Sequence, residues 1–186
     1  MNKNFRVILW GLILIFFRVR ILSVDILPNF IGYILIWQGL YKMKQHDIEF
    51  GKGIIYAQVM VAISILQGSM LWFGIDSSSI IMANMWVIVL EQLGVIIMLV
   101  IIYYICKGSY NLEENRMNAQ LYNKIKFRWK FYFNSTVAII IITAFTLNYL
   151  GTVMILPIIL IVNVLSKVLI LFMVRKEGKE FVTLVE

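Results

Sequence analysis

The chain has 186 residues, 61% hydrophobic and 15% charged, with a mean hydropathy of +0.88. Soluble globular domains hold about 45–50% apolar and about 25% charged residues, so this chain lacks the polar side chains to cover a water-facing surface. One cysteine, Cys106, excludes an intramolecular disulfide and a cysteine-rich metal site, and a single histidine, His46, argues against histidine-based metal or triad chemistry.

Six apolar stretches follow one another: about Phe5–Leu22, Ile26–Met43, Ile54–Ile75, Ile80–Cys106, Phe131–Leu150 and Val153–Val174. A membrane-spanning helix needs roughly 20 such residues, and a helix satisfies its own backbone groups within hydrocarbon. The runs are far longer than the alternating segments of about ten residues in a membrane barrel. The expectation is an all-α, single-domain bundle of six spans in three hairpins. The first stretch follows Lys3 and Arg6 but runs into Arg18 and Arg20 without a small-residue cleavage site, so it reads as a retained span and not a signal peptide.

Basic residues give the orientation. Lys3, Arg6, Lys42, Lys44, Lys52, Lys107, Arg116, Lys124, Lys126, Arg128, Lys130, Arg175, Lys176 and Lys179 all fall toward one side. The connections Asp76–Ser79 and Asn148–Thr152 carry none, and only Arg18 and Arg20 lie toward that side. Both termini are therefore expected in the cytoplasm, and the net charge of +7 is mostly a topology signal.

The connection Lys107–Lys130 has a pattern of its own. Leu121, Tyr122, Ile125, Trp129, Tyr132 and Phe133 recur at helical steps, with Asn123, Lys124, Lys126, Arg128 and Lys130 between them. This predicts a basic amphipathic helix ahead of the fifth span, with Lys124, Lys126, Arg128 and Lys130 on anionic lipid headgroups or, alternatively, on a cytoplasmic partner. No nucleic-acid-binding motif accompanies the charge.

Ionisable residues within apolar stretches are costly and mark candidate sites. Glu91 and Gln92 lie near the middle of the fourth stretch, Lys167 and Asn163 in the sixth, and Arg18 late in the first. One reading pairs Glu91 with Lys167 or Arg18 in a polar centre for a solute headgroup, an ion or a proton. The other has Lys167 snorkelling inward and Glu91 near the outer headgroups. Gln58, Gln67 and Asn84 read as interhelical packing polars. Trp72, Trp86 and Trp129 read as interface anchors, and Trp10 and Trp37 as core. No catalytic motif, cofactor fingerprint or metal-ligand spacing is present, and a Cys106–His46 nucleophile–base pair has nothing further in its favour.

The segment Asp25-Ile-Leu-Pro-Asn-Phe-Ile-Gly-Tyr33, followed by an apolar run and Gly39-Leu40, resembles a pattern of uncharacterised small multi-pass membrane proteins of Gram-positive bacteria, with Asn29 where those carry a second acid. The resemblance covers about 20 residues, implies a bacterial plasma membrane location and implies no catalytic residues. Physically, Asp25 can cap the second helix, Pro28 fits its first turn, Gly32 permits close helix approach, and Arg20 can pair with Asp25 across the outer hairpin. In size and span number the chain also resembles the substrate-binding subunits of energy-coupling-factor vitamin transporters. It departs from them in having no alanine between Val7 and Phe17, where their Ala-x-x-x-Ala motif lies. Two function classes follow: small-solute binding or transport, or a non-catalytic accessory subunit that contacts a membrane-complex partner or its own copies.

Overall fold

The computed structural model describes residues 2–17, 20–21, 24–25, 29–72, 81–115, 117, 119–146 and 156–181. Within them lie six helices: α1 (Lys3–Phe16), α2 (Asn29–Met43), α3 (Ile48–Trp72), α4 (Ile81–Asn115), α5 (Ala119–Thr146) and α6 (Leu156–Glu180). Each answers to one of the six apolar stretches. A two-residue antiparallel ribbon joins α1 to α2, β1 (Arg20–Ile21) with β2 (Val24–Asp25).

Several boundaries differ from expectation. Asp25 lies in the ribbon, four residues before α2 begins at Asn29. The ribbon register does set Arg20 opposite Asp25. Arg18, Pro28 and Ser77–Ser79 lie outside the described residues. At the other end the helices are longer than their apolar runs. α4 continues past Cys106 to Asn115, and α5 begins at Ala119, so the expected cytoplasmic amphipathic helix is the first half of a continuous α5. The break between them is made by Met117, at φ 56°, whose N–H bonds the carbonyl of Glu114 at 3.0 Å. That left-handed residue is what ends the helix.

Three helices are long and apolar enough, by length and composition, to cross a membrane: Ile48–Gly68 in α3, Val89–Asn115 in α4 and Pro157–Glu180 in α6. Their outer faces are apolar as well. Ile55, Val59, Ile65 and Leu66 on α3, Val89, Leu93 and Ile96 on α4, and Ile158, Ile161, Val164 and Leu165 on α6 are all exposed. A contiguous apolar surface of this kind matches lipid as the surrounding solvent. α1 and α2 have only 14 and 15 residues. α5 is long, but its first half carries Lys124, Lys126, Arg128 and Lys130.

The helices pack in chain order, and α6 packs back on α1, closing a ring. The closure is tied at the chain ends: Asn2 N–H donates to the Gly178 carbonyl, and Phe5 meets Phe181 at a centroid distance of 5.9 Å. Phe5 also meets Phe50 of α3 edge-on at 6.3 Å, and His46 in the α2–α3 turn rests on Phe181 at 4.8 Å. The two described ends of the chain, Asn2 and Phe181, therefore lie at one end of the bundle, called the inner end below. The core is continuous from there through Ile8, Ile36, Leu40, Ile101, Ile105, Ile125 and Ile170. Trp37 packs against it, whereas Trp10 is 56% exposed and is not core.

The tightest packing joins α1 to α2. A methyl group on Gly11 would sit 2.7 Å from the Gly32 carbonyl oxygen and 3.0 Å from the Ile36 nitrogen. One on Gly32 would sit 2.7 Å from Ile15 Cγ1 and 3.0 Å from the Gly11 oxygen. Gly39 faces Ile8 and the Asn4 carbonyl equally closely. The backbones touch, as at small-residue crossings in membranes, and the expected role of Gly32 is realised with Gly11 as its counterpart.

Gly11→Ala or Gly32→Ala is expected to lower stability by about 1–3 kcal/mol through overpacking against backbone. Gly68→Ala, which meets nothing within 4 Å, is expected to be neutral or stabilising. Thermal unfolding of the three variants in a mild detergent checks this contrast.

Candidate functional site

Among the described residues, buried polar side chains gather in two places, apart from Ser64 on α3, whose hydroxyl bonds the Met60 carbonyl of its own helix. The first is a seam between α5 and α6. Ser135 Oγ donates to Ser166 Oγ at 2.8 Å, Ser166 Oγ lies 2.7 Å from the Asn163 carbonyl, and Asn163 Nδ2 reaches Thr136 Oγ1 at 3.5 Å. Ser135 Oγ also lies 3.0 Å from the Tyr132 carbonyl. All five residues are buried. The spacing explains the seam: Ser135 and Thr136 are one turn beyond Tyr132, and Ser166 is one turn beyond Asn163, so each helix turns one small polar face to the other.

Lys167 follows Ser166 directly. It is half-buried, and its Nζ lies 5.7 Å from the centroid of Phe16 on α1, a cation–π contact. Phe16 in turn packs on Tyr132 at 6.3 Å. Lys167, Phe16 and Tyr132 thus join α6, α1 and α5 at the ring closure.

The residues singled out from the sequence are distributed as follows. Asn163 and Lys167 belong to one polar region. Glu91 is exposed on α4, and Gln92 is half-buried there, with its Oε1 buried and without a hydrogen bond among the described residues. Cys106 Sγ lies 3.7 Å from Met173 Sδ, which sets a common level for the parallel helices α4 and α6. Measured outward from that level at 1.5 Å per residue, Glu91 lies about 13 Å beyond Lys167. That exceeds the reach of a lysine side chain, so the two are not brought together. Arg18, the other candidate partner, is outside the described residues. Cys106 is buried against Met173 and His46 lies against Phe181, so no nucleophile–base pair forms between them.

The second polar place is the inner end, and the sequence reading did not single it out. Glu49, on the first turn of α3, is 6% exposed. Its carboxylate takes Lys52 Nζ at 2.7 Å and Lys107 Nζ of α4 at 3.4 Å. Asp47 caps α3 by accepting the Glu49 N–H at 2.8 Å, and its other oxygen accepts from Asn111 Nδ2 at 3.1 Å. Two side chains therefore lace the start of α3 to the end of α4. Ser109, Glu113 and Glu177 are buried at the same end of α4 and α6. The available signals were the Glu49–Lys52 and Ser109–Glu113 spacings on what proved to be helices.

Above this layer lies a girdle of aromatic pairs: Tyr56 stacked on Tyr104 at 5.6 Å, Tyr103 against Trp129 at 5.3 Å, and Trp129 against Phe133 at 5.7 Å. Among the described residues there is no group of three or more His, Cys, Asp or Glu side chains able to hold a metal ion. No family model matches the chain, and no curated protein or solved structure matches it.

Ser166→Ala is expected to cost about 0.6 kcal/mol and at most about 1.7, the range for interhelical hydrogen bonds in membranes. Glu49→Gln, which leaves two ammonium groups facing each other without a carboxylate, is expected to lower the unfolding midpoint more than Ser166→Ala does. Differential scanning fluorimetry of the detergent-solubilised variants measures the order, and the reverse order would contradict it.

Proposed function

We propose that the chain is a multi-pass protein of the bacterial plasma membrane that binds or transports a small solute at the polar seam between α5 and α6. In this reading all six helices cross the bilayer as three hairpins, with both termini cytoplasmic. Three observations support that topology: the basic residues at the inner end, the ring closure that joins the termini there, and the apolar outer faces of α3, α4 and α6. The resemblance of Asp25–Tyr33 to small Gram-positive membrane proteins supports the same location.

One observation carries the solute reading. Lys167 brings a cation into the apolar sixth helix and meets an aromatic face there, and among the described residues it forms no ion pair. A cation so placed is costly unless function retains it, and along α6 it directly follows Ser166 and lies one turn beyond Asn163, the two residues that bond Ser135 and Thr136 of α5. A small anionic solute, with a carboxylate or phosphate for Lys167 and hydrogen-bonding groups for the seam, fits that set. The Lys167 ammonium supplies attraction, and the seam supplies orientation.

The second reading is a non-catalytic accessory subunit. It is favoured by the satisfied hydrogen bonds of the seam, which also describe packing glue between helices.

Native mass spectrometry of the gently solubilised protein separates them. The solute reading expects a small anionic ligand on the wild type that is lost in Lys167→Gln with the unfolding midpoint retained. A partner protein without ligand in either form would favour the accessory reading. For the topology, a cysteine placed at Ser23 in a Cys106→Ala background is expected to react with impermeant maleimide from outside intact cells. Reaction only after permeabilisation would refute the first hairpin as a full crossing.

A further inference from the structure

We propose that the basic face of the first half of α5 seats the phosphate of an anionic phospholipid, a lipid site separate from the solute seam and resting on the membrane reading above. Gln120, Asn123, Lys124, Phe127 and Arg128 line a shallow groove along one stripe of α5. Their spacing of three, four and eight residues sets Lys124 and Arg128 one turn apart on the same face. Lys126, by contrast, lies over the Tyr122 ring at 5.7 Å.

The charge on this face is uncompensated. No Asp or Glu occurs between residues 115 and 176, and among the described residues neither Lys124 nor Arg128 forms an ion pair. Two cations held one turn apart, flanked by the amides of Gln120 and Asn123, match a phosphodiester: the guanidinium takes two oxygens and the ammonium neutralises the charge.

The level and the apolar neighbours point to a lipid. Trp129, packed on Tyr103, belongs to the aromatic girdle that marks an inner interface, and Lys124 and Arg128 lie within about two turns of it. Phe127 is 65% exposed between the two cations and stacks on Phe131, at 6.3 Å and 14°, one turn nearer the apolar half of the helix. A soluble anion has no use for that exposed ring. A phospholipid places its phosphate on the cations and the start of its acyl chains along Phe127 and Phe131.

The test reconstitutes the full chain into vesicles of mixed phosphatidylglycerol and phosphatidylcholine, extracts it gently and quantifies retained lipid by mass spectrometry. The wild type is expected to retain phosphatidylglycerol in preference, and Lys124→Gln/Arg128→Gln to lose that enrichment roughly tenfold. Inorganic phosphate in excess is expected to leave the wild-type enrichment intact. Equal retention by the variant, no preference in the wild type, or displacement by inorganic phosphate would each overturn the proposal. Should the double variant fail to fold, Phe127→Ala and the wild-type unfolding midpoint in phosphatidylglycerol against phosphatidylcholine decide it. Lower enrichment in the former and a higher midpoint in phosphatidylglycerol support the site, and no change in either refutes it. Carbonate extraction before reconstitution keeps the readings distinct: release of the protein would sink the membrane assignment, whereas an integrated but unselective protein sinks only the lipid site.

Discussion

The close crossing of α1 and α2 is the constraint on which the ring rests. Each helix has 14 or 15 residues, about 21–22 Å at the α-helical rise, which is short of a hydrocarbon core of about 30 Å. Helices in lipid gain nothing from the hydrophobic effect against one another, so packing must hold them. Gly11, Gly32 and Gly39 provide it by letting backbone meet backbone. The ribbon Arg20–Asp25 then continues the hairpin outward, with its backbone groups paired in a ladder. Once α1 and α2 act as one unit, α2 carries α3 and α1 meets α6, and the cycle closes.

The polar residues follow from the same economy. Water is not available inside hydrocarbon, so each buried hydroxyl, amide or carboxylate needs an internal partner. At the inner end, Glu49 and Asp47 tie α3 to α4. Higher in the bundle, the Ser135–Ser166 and Thr136–Asn163 contacts tie α5 to α6. Lys167 meets an aromatic ring, as Lys107 and Lys126 also do, but it does so within the apolar sixth helix.

Much of this was legible in the sequence. Six apolar runs identified six helices, and helical periodicity found the two-faced start of α5. The inner boundaries were less legible, because the end of an apolar run does not mark the end of its helix. A helix leaving an apolar phase has no reason to stop, and α4 and α5 continue until Met117 adopts a left-handed conformation. The short ribbon that holds Asp25 is invisible to helical patterning. The sequence leaves open whether Glu91 reaches Lys167, because span ends do not fix relative depth; the contact of Cys106 with Met173 supplies a common level. Glu49 escaped notice because a charge in a polar connection is ordinary, and its burial depends on α4 reaching Lys107 and Asn111 as helix.

Closure of the ring with both chain ends on one face is the central claim. It is tested most directly by spin labels at Lys3→Cys and Lys179→Cys, both exposed positions, in a Cys106→Ala chain in lipid bilayers. The account expects a narrow inter-label distance well short of the roughly 30 Å of a hydrocarbon core. A distance equal to or greater than that thickness would contradict it.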